Sequence, residues 1–261
     1  MRMATSKDGT ELAYDVSGQG PALVYITGAT CFRRFRPVLA DVGVFATKFT
    51  VYNYDRRGRG DSADVLPYAI EREVDDIEAV VDAAGGRAIL YGHSSGAALA
   101  LEAAVRMPDK IDRVVIYDAP YVHDEAERAA YAELAQKVYA LLDEGRNARA
   151  LKAFLSGIGM PRAFVALLPL FPGWKTMKAL APTLRYDIGI TETLPPVERF
   201  ASIQVPVNVV VGGKNPAGMQ QVARELASAI PRAAHRVLAG QDHMVSAAAL
   251  LPILTDSAVD N

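Results

Sequence analysis

The chain has 261 residues, 51% of them hydrophobic and 22% charged, with a formal net charge of −2. That length and apolar content suit one α/β domain with a large core, and the balanced charge excludes attraction of the whole molecule to nucleic acid or to an anionic membrane. A single cysteine, Cys31, excludes an internal disulfide, and four histidines without His-Glu-x-x-His or Cys-x-x-Cys spacing leave a metal site unsupported.

In chain order, Met1 to Thr10 lacks the apolar core of a signal peptide, and no run of about 18 apolar residues follows, so a cytoplasmic protein is expected. Glu11 to Val16 alternates, and Ser17-Gly-Gln-Gly-Pro21 turns the chain into Ala22 to Ile26, a continuous apolar run of buried-strand type. An antiparallel hairpin leading into a central strand is expected there. Gly18-x-Gly20 precedes a strand instead of joining strand to helix, so it reads as a turn and not as a dinucleotide fingerprint. After Thr27-Gly28-Ala29-Thr30 the pattern predicts a helix from about Arg33 to Ala46 and a strand over Thr50 to Tyr54. Asp55-Arg-Arg-Gly-Arg-Gly-Asp-Ser62 then reads as a glycine-rich turn. Val74, Ile77, Val80, Val81 and Ala84 recur at helical spacing and predict a helix with one buried face, ended by Gly85-Gly86. A strand over Ala88 to Tyr91, a helix from Ser95 to Met107 and a strand over Arg113 to Tyr117 complete the first half. Alternation of this kind gives a mostly parallel sheet with helices on both faces.

From Tyr121 to Val197 no strand-like run occurs. Residues 121–197 are therefore expected as a helical insertion, a lid, splitting a core made of residues 1–120 and 198–261. The insertion opens with a charged helix from Asp124 to Glu144, continues through Ala148 to Leu155 and becomes very apolar between Phe164 and Leu180. The α/β pattern resumes with a strand over Val207 to Val211, a helix near Met219 to Ile230, a strand over His235 to Leu238 and a last helix from about Val245.

The chemistry centres on Gly92-His93-Ser94-Ser95-Gly96, preceded by a strand-type run and followed by a small-residue helix. A serine hydroxyl becomes a nucleophile when it projects from a sharp strand-to-helix turn beside a base, and the flanking glycines let strand and helix converge there. For the base, His243 in Gly240-Gln-Asp-His243 follows the final strand and so lies at the carboxyl end of the sheet, where the turn at Ser94 also opens. His93, His123 and His235 are read as structural or exposed.

Strand-Gly-x-Ser-x-Gly-helix, Thr27-Gly28 after an earlier strand, Asp55-Arg-Arg-Gly-Arg-Gly-Asp-Ser62, a helical insertion and a terminal Gly-x-x-His together resemble the α/β-hydrolase superfamily over essentially the whole chain. The resemblance implies an α/β fold with an eight-stranded, mostly parallel sheet, a helical cap, a serine/acid/histidine triad and no cofactor. It names no substrate, because the fold serves many reactions. One departure concerns the acid: most relatives carry Gly-x-x-Asp after the strand that follows the cap, and this chain has Asn215 in Gly-Gly-Lys-Asn215. Asn215 could accept the histidine N–H but carries no charge to stabilise an imidazolium; Asp118, at the end of the strand before the cap, is the alternative, in an arrangement similar to zearalenone-type lactone hydrolases. Asp242 is too close to His243 along the backbone to orient it.

The catalytic set expected on these grounds is Ser94, His243 and Asp118, with the oxyanion held by the backbone N–H of Ser95 and by the Gly28-Ala29 turn. Thr27 stands where relatives commonly carry histidine, which leaves those amide donors intact. Thr30, Phe171, Trp174 and Met177 are expected to line the pocket, with Cys31 a small buried residue near it and Arg33, Arg34 and Arg36 as solvated surface charges. A lid of this composition predicts a small-molecule, hydrophobic substrate, an uncharged and moderately large ester or lactone. Cofactor-free carbon-carbon hydrolysis, perhydrolysis, and ligand binding or cyclisation without hydrolysis remain as alternatives. No nucleic-acid or membrane partner is expected, and a homodimer is the candidate assembly.

Overall fold

A computed structural model describes residues 1–122 and 124–256. His123, at the expected start of the insertion, and residues 257–261 lie outside the described residues.

Four short apolar segments build the centre of the sheet: β3 (Ala22–Ile26), β5 (Ala88–His93), β6 (Ile111–Tyr117) and β7 (Val207–Gly212). Their alternate residues enter different cores, as the period of two requires. Val24 and Ile26 pack with helices on one face, while Leu23 and Tyr25 pack with helices on the other. β4 (Thr50–Tyr54) flanks β3, β8 (Ala233–Leu238) closes one edge, and β1 (Arg2–Thr5) with β2 (Glu11–Ser17) closes the other. The eight strands run in the order β1-β2-β4-β3-β5-β6-β7-β8, with β1–β2 and β2–β4 antiparallel and the rest parallel.

An antiparallel entry hairpin does precede the central strand β3, and its two arms are β1 and β2. β2 pairs with β1, a strand absent from the sequence reading, and lies one strand away from β3 with β4 between them. The turn after β2 crosses the start of β4. A Cβ on Gly18 or Gly20 would strike the carbonyls of Phe49 and Lys48, so the glycines permit a crossing and not a tight return.

On one face lie α2 (Ile70–Ala83), α3 (Ser95–Arg106) and α9 (Ala217–Ala229), burying Ile77, Val80, Leu99, Val222 and Leu226. On the other face α1 (Arg36–Phe45) and α10 (Ala247–Thr255) bury Val38, Val42, Phe45, Leu250 and Leu254. α1 begins at Arg36, later than expected, because the backbone N–H of Arg33 is committed to Asp55 (2.6 Å) and Pro37 suits a first helical turn.

Between β6 and β7 come α4 (Glu125–Asp143), α5 (Asn147–Gly157), α6 (Arg162–Leu167), α7 (Trp174–Ala179) and α8 (Leu184–Glu192). Asp124 caps α4 by accepting the Glu127 N–H (2.8 Å). These helices share a core of their own, including Leu151, Phe154, Leu184 and Ile188, which packs on Ala29 and Phe35 between β3 and α1. The apolar stretch after Phe164 divides its residues. Val165, Leu168 and Met177 are buried, whereas Phe164, Leu167, Leu170 and Phe171 face outward. No helix among the described residues is long and apolar enough to cross a membrane.

The chain leaves β3 toward β4 on one side and later returns to place β5 on the other. The strand order therefore reverses at the carboxyl ends of β3 and β5, the position where open α/β sheets bind ligands. α3 starts there, tight against β3: a Cβ on Gly96 would strike the Ile26 carbonyl and come within 3.0 Å of the Thr27 oxygen. Alanine for glycine inside a helix ordinarily stabilises by roughly 0.5–1 kcal/mol. Gly96→Ala should do the opposite, lowering the urea midpoint of unfolding; an unchanged or raised midpoint would contradict the packing described.

Candidate active site

Three residues other than glycine have positive φ among the described residues: Thr30 (61°), Ser94 (56°) and Asp118 (50°). Such conformations cost of order 1–3 kcal/mol and persist where surrounding structure enforces them. All three stand at carboxyl ends of adjacent strands, after β3, β5 and β6. Ser94 sits on the turn between β5 and α3 with ψ of −124°, and its side chain is only partly buried. Its N–H donates to the Tyr117 carbonyl at 2.9 Å, which ties the turn to β6. On either side, a Cβ at Gly92 would collide with Gly96 and Ala97, and one at Gly28 would come within 3.0 Å of the Ser94 Cβ. The small residues are therefore required by close approach, and the loop after β3 lies against the serine.

The acid lies on β6. Asp118 is 4% exposed, and its Oδ2 lies 3.0 Å from His243 Nδ1. A second donor reaches the same oxygen: Asn215 Nδ2 at 2.6 Å, from the turn after β7. The Gly212 N–H donates to Oδ1 at 3.4 Å. Asn215 therefore does not contact the histidine in place of an acid; it holds the acid that does. Asp242 is occupied elsewhere, accepting the Met244 N–H (2.9 Å) on its side chain and the Tyr117 hydroxyl (2.5 Å) on its carbonyl. These bonds fix the loop that carries His243.

His93, next to the serine, turns its ring toward His243, with centroids 4.9 Å apart and its Nε2 3.0 Å from the His243 carbonyl. Burial, and then the neighbouring imidazole, hold its pKa down to about 3, so it is a neutral N–H donor that braces the loop. Burial pushes the Cys31 thiol up to about 11, which makes it a poor nucleophile.

Behind the serine is a feature the sequence reading missed. The turn after β4 buries Arg56, Arg57 and Arg59, and the loop after β3 buries Arg33. Arg33 is 1% exposed and bonds Asp61 (2.5 Å) with Asp55 and Asp15 nearby, so it is not a solvated surface charge as expected; Arg34 is exposed. Arg56 forms a fork with Glu73 (2.6 and 2.7 Å) and also donates to the Thr27 carbonyl, Ser95 Oγ and Asp187. Arg59 donates to both oxygens of Asp187 (2.7 and 2.8 Å) and to the Gly28 carbonyl (2.7 Å). Burial alone would raise the Asp187 carboxyl, but the Arg59 and Arg56 charges and the Ser95 hydroxyl outweigh it and hold the pKa below the usual value. Three arginines inside one short turn were the available signal, because so many cations at a sheet end demand buried carboxylates.

Of the residues expected to line the pocket, Thr30 is buried in the loop beside Ser94, and Trp174 and Met177 belong to the helical cluster that packs on Ala29 and Phe35. Phe171 is 49% exposed and pairs with Phe164 (5.8 Å between centroids). No group of three or more metal-ligating side chains is arranged for an ion among the described residues.

The sequence model of the alpha/beta hydrolase family matches residues 16–251. The chain belongs to that family. An alpha/beta hydrolase from Sphaerobacter thermophilus is 39% identical in a solved structure that superposes with a TM-score of 0.86, covering 97% of this chain and 98% of that one. The enol-lactonase from Burkholderia xenovorans shares the fold at a TM-score of 0.74 and 22% identity, covering 98% and 99% of the two chains. A 2-(acetamidomethylene)succinate hydrolase from Mesorhizobium japonicum is 28% identical over 94% of this chain and 88% of its own length.

The brace at His93 has a pH signature. An unfolded histidine takes up a proton near its ordinary value of 6.5, and the native ring does so only near 3, so folded stability is lost as pH falls through that window. His93→Gln keeps a donor for the His243 carbonyl and does not titrate. Its Tm should fall less than that of the wild type between about pH 7 and pH 4.5; equal falls would contradict the assignment.

Proposed function

We propose that the protein is a serine hydrolase that cleaves an uncharged carboxylic ester or lactone through an acyl-enzyme on Ser94. The observation that carries this reading is the contact of His243 Nδ1 with the buried Asp118 carboxylate (3.0 Å), on a loop braced against the residue that precedes the serine.

With Nδ1–H donated to Asp118, the lone pair of His243 Nε2 is the base. It takes the Ser94 proton as Oγ attacks the substrate carbonyl carbon, and the carbonyl oxygen becomes an anion. The N–H groups of Ser95, at the unsatisfied start of α3, and of Ala29 in the loop after β3 are the donors for that anion, with Gly28 making the close approach. Collapse breaks the bond to the leaving oxygen, which takes the proton from His243; a lactone keeps that oxygen tethered as a hydroxyl. Water then attacks the acyl carbon, gives its proton to the same imidazole and releases Ser94. Asp118 stabilises the imidazolium in both halves, and Asn215 and Gly212 fix its two oxygens.

The choice of an uncharged substrate rests on the arginines. A dicarboxylate such as the one in the name of the Mesorhizobium relative requires cations facing the cleft. Among the arginines of the loops after β3 and β4, Arg33, Arg56 and Arg59 are each buried in ion pairs, and Arg34 is exposed beside Asp61. Ala29, Phe35, Trp174 and Met177 instead offer apolar surface between sheet and helices.

With p-nitrophenyl butyrate as substrate, Ser94→Ala should abolish turnover and Asp118→Asn should lower kcat about 10³–10⁴-fold, as loss of the acid does in a serine protease. Asn215→Ala, which removes only a donor to that acid, should cost about tenfold or less. A larger loss at Asn215 than at Asp118 would overturn the acid assignment, and turnover by Ser94→Ala would overturn the mechanism.

A further inference from the structure

Resting on the serine-hydrolase reading above, we infer that Asp187, carried by α8 of the inserted helices, is a positioning residue that sets both halves of the oxyanion hole. One buried carboxylate reaches the two backbone segments that must supply the donors, and it does so from a helix of the segment inserted between β6 and β7.

The first half is Ser95. Its side-chain hydroxyl donates to Asp187 Oδ1 at 2.7 Å and accepts from Arg56 at 3.0 Å. The residue whose N–H heads α3 is thus held through its own side chain and cannot rotate without breaking both bonds. The second half is the loop after β3. Arg59 lies between Asp187 and the Gly28 carbonyl, bonding the carboxylate at 2.7 and 2.8 Å and the carbonyl at 2.7 Å. In a trans peptide the C=O and the following N–H point in opposite directions. Anchoring the Gly28 carbonyl on Arg59 therefore directs the Ala29 N–H away from the arginine, and the bond to a cation polarises that N–H further. Arg56, held between Glu73 and Asp187, bonds the preceding carbonyl of Thr27 at 3.2 Å and fixes the adjacent peptide.

Geometry and not charge is the means. Arg56 and Arg59 are balanced by Glu73 and Asp187, so the cluster presents no net charge to the oxyanion. Removing the Asp187 charge would leave one positive charge in excess, which by itself favours an anion nearby. A loss of catalysis on neutralising Asp187 therefore reports misdirected donors. Because Asp187 is on α8, the oxyanion hole is complete only when that helix is seated on the sheet.

The test is Asp187→Asn, assayed with p-nitrophenyl butyrate and by the rate of Ser94 labelling with a fluorophosphonate, whose phosphoryl oxygen uses the same donors. We expect kcat and the labelling rate to fall about 10–100-fold with KM within about threefold, since loss of one oxyanion donor in a protease costs 10²–10³. Tyr186→Phe is the control. It removes a bond from the same helix to Asp64 (2.8 Å) without touching the loop after β3, so it should lower Tm and leave kcat unchanged. If Asp187→Asn does not fold, Arg59→Lys replaces it, because one ammonium cannot span the carboxylate and the Gly28 carbonyl as the guanidinium fork does. Unchanged kcat and labelling in the folded variant, or an equal kcat loss in Tyr186→Phe, would overturn the role of Asp187 while leaving the hydrolase reading intact. A wild type that neither hydrolyses the ester nor reacts at Ser94 would overturn that reading and this inference together.

Discussion

A carboxylate without water must be met by donors, and at Asp118 those donors come from two segments distant in sequence. His243 arrives on the loop after β8, and Asn215 with Gly212 on the turn after β7. They converge because β6, β7 and β8 are parallel neighbours whose carboxyl ends are in step, Tyr117 pairing with Val210 and Val211 with Val237. The positive φ of Asp118 turns its side chain off the strand at that level, a strain of order 1–3 kcal/mol that the bonds to His243 and Asn215 offset. His93 and Tyr117 complete the arrangement by holding the histidine loop from beneath.

A second set of buried charges follows the same rule at larger scale. Arg56, Arg59, Glu73 and Asp187 are almost fully excluded from solvent, and each would be costly alone. Paired and forked, they join α2, the turn after β4, the start of α3 and the inserted α8. Apolar packing attaches the inserted helices to Ala29 and Phe35, but it is non-directional. The charged cluster adds direction, since a guanidinium fork accepts a carboxylate in few orientations. Seating of α8 and the shape of the site are in this way one and the same arrangement.

Much of the fold was legible because it is written locally. Apolar runs at Ala22–Ile26 and Val207–Gly212, helical spacing over Val74–Val81, and glycines two positions either side of Ser94 are each decided by a few neighbours. Asp118 and His243 could be singled out because both end or follow a strand, and the structure brings them into contact. Strand order was not legible: β1 is too short to be recognised, and the crossing of β4 depends on what Gly18 and Gly20 touch. Nor was the burial of Arg33, Arg56 and Arg59, because a charge looks solvated until its partner is known. Arg56 and Asp187 lie 131 residues apart, and nothing in the helical pattern of α8 distinguishes that aspartate from a surface one. Asn215 was the intermediate case. Its departure from the usual acid was visible, and its actual use, as a donor to Asp118, needed the two turns in space.

The account requires one state of one imidazole: His243 must carry its proton on Nδ1, against Asp118, so that Nε2 is free to act as base. Nitrogen-15 NMR of histidine-labelled protein at about pH 8, with His243 assigned by its loss in His243→Gln, reads this directly. The account predicts a protonated Nδ1 and an unprotonated Nε2. A resonance pair showing the proton on Nε2 would contradict it, because that imidazole could neither donate to Asp118 nor take the proton of Ser94.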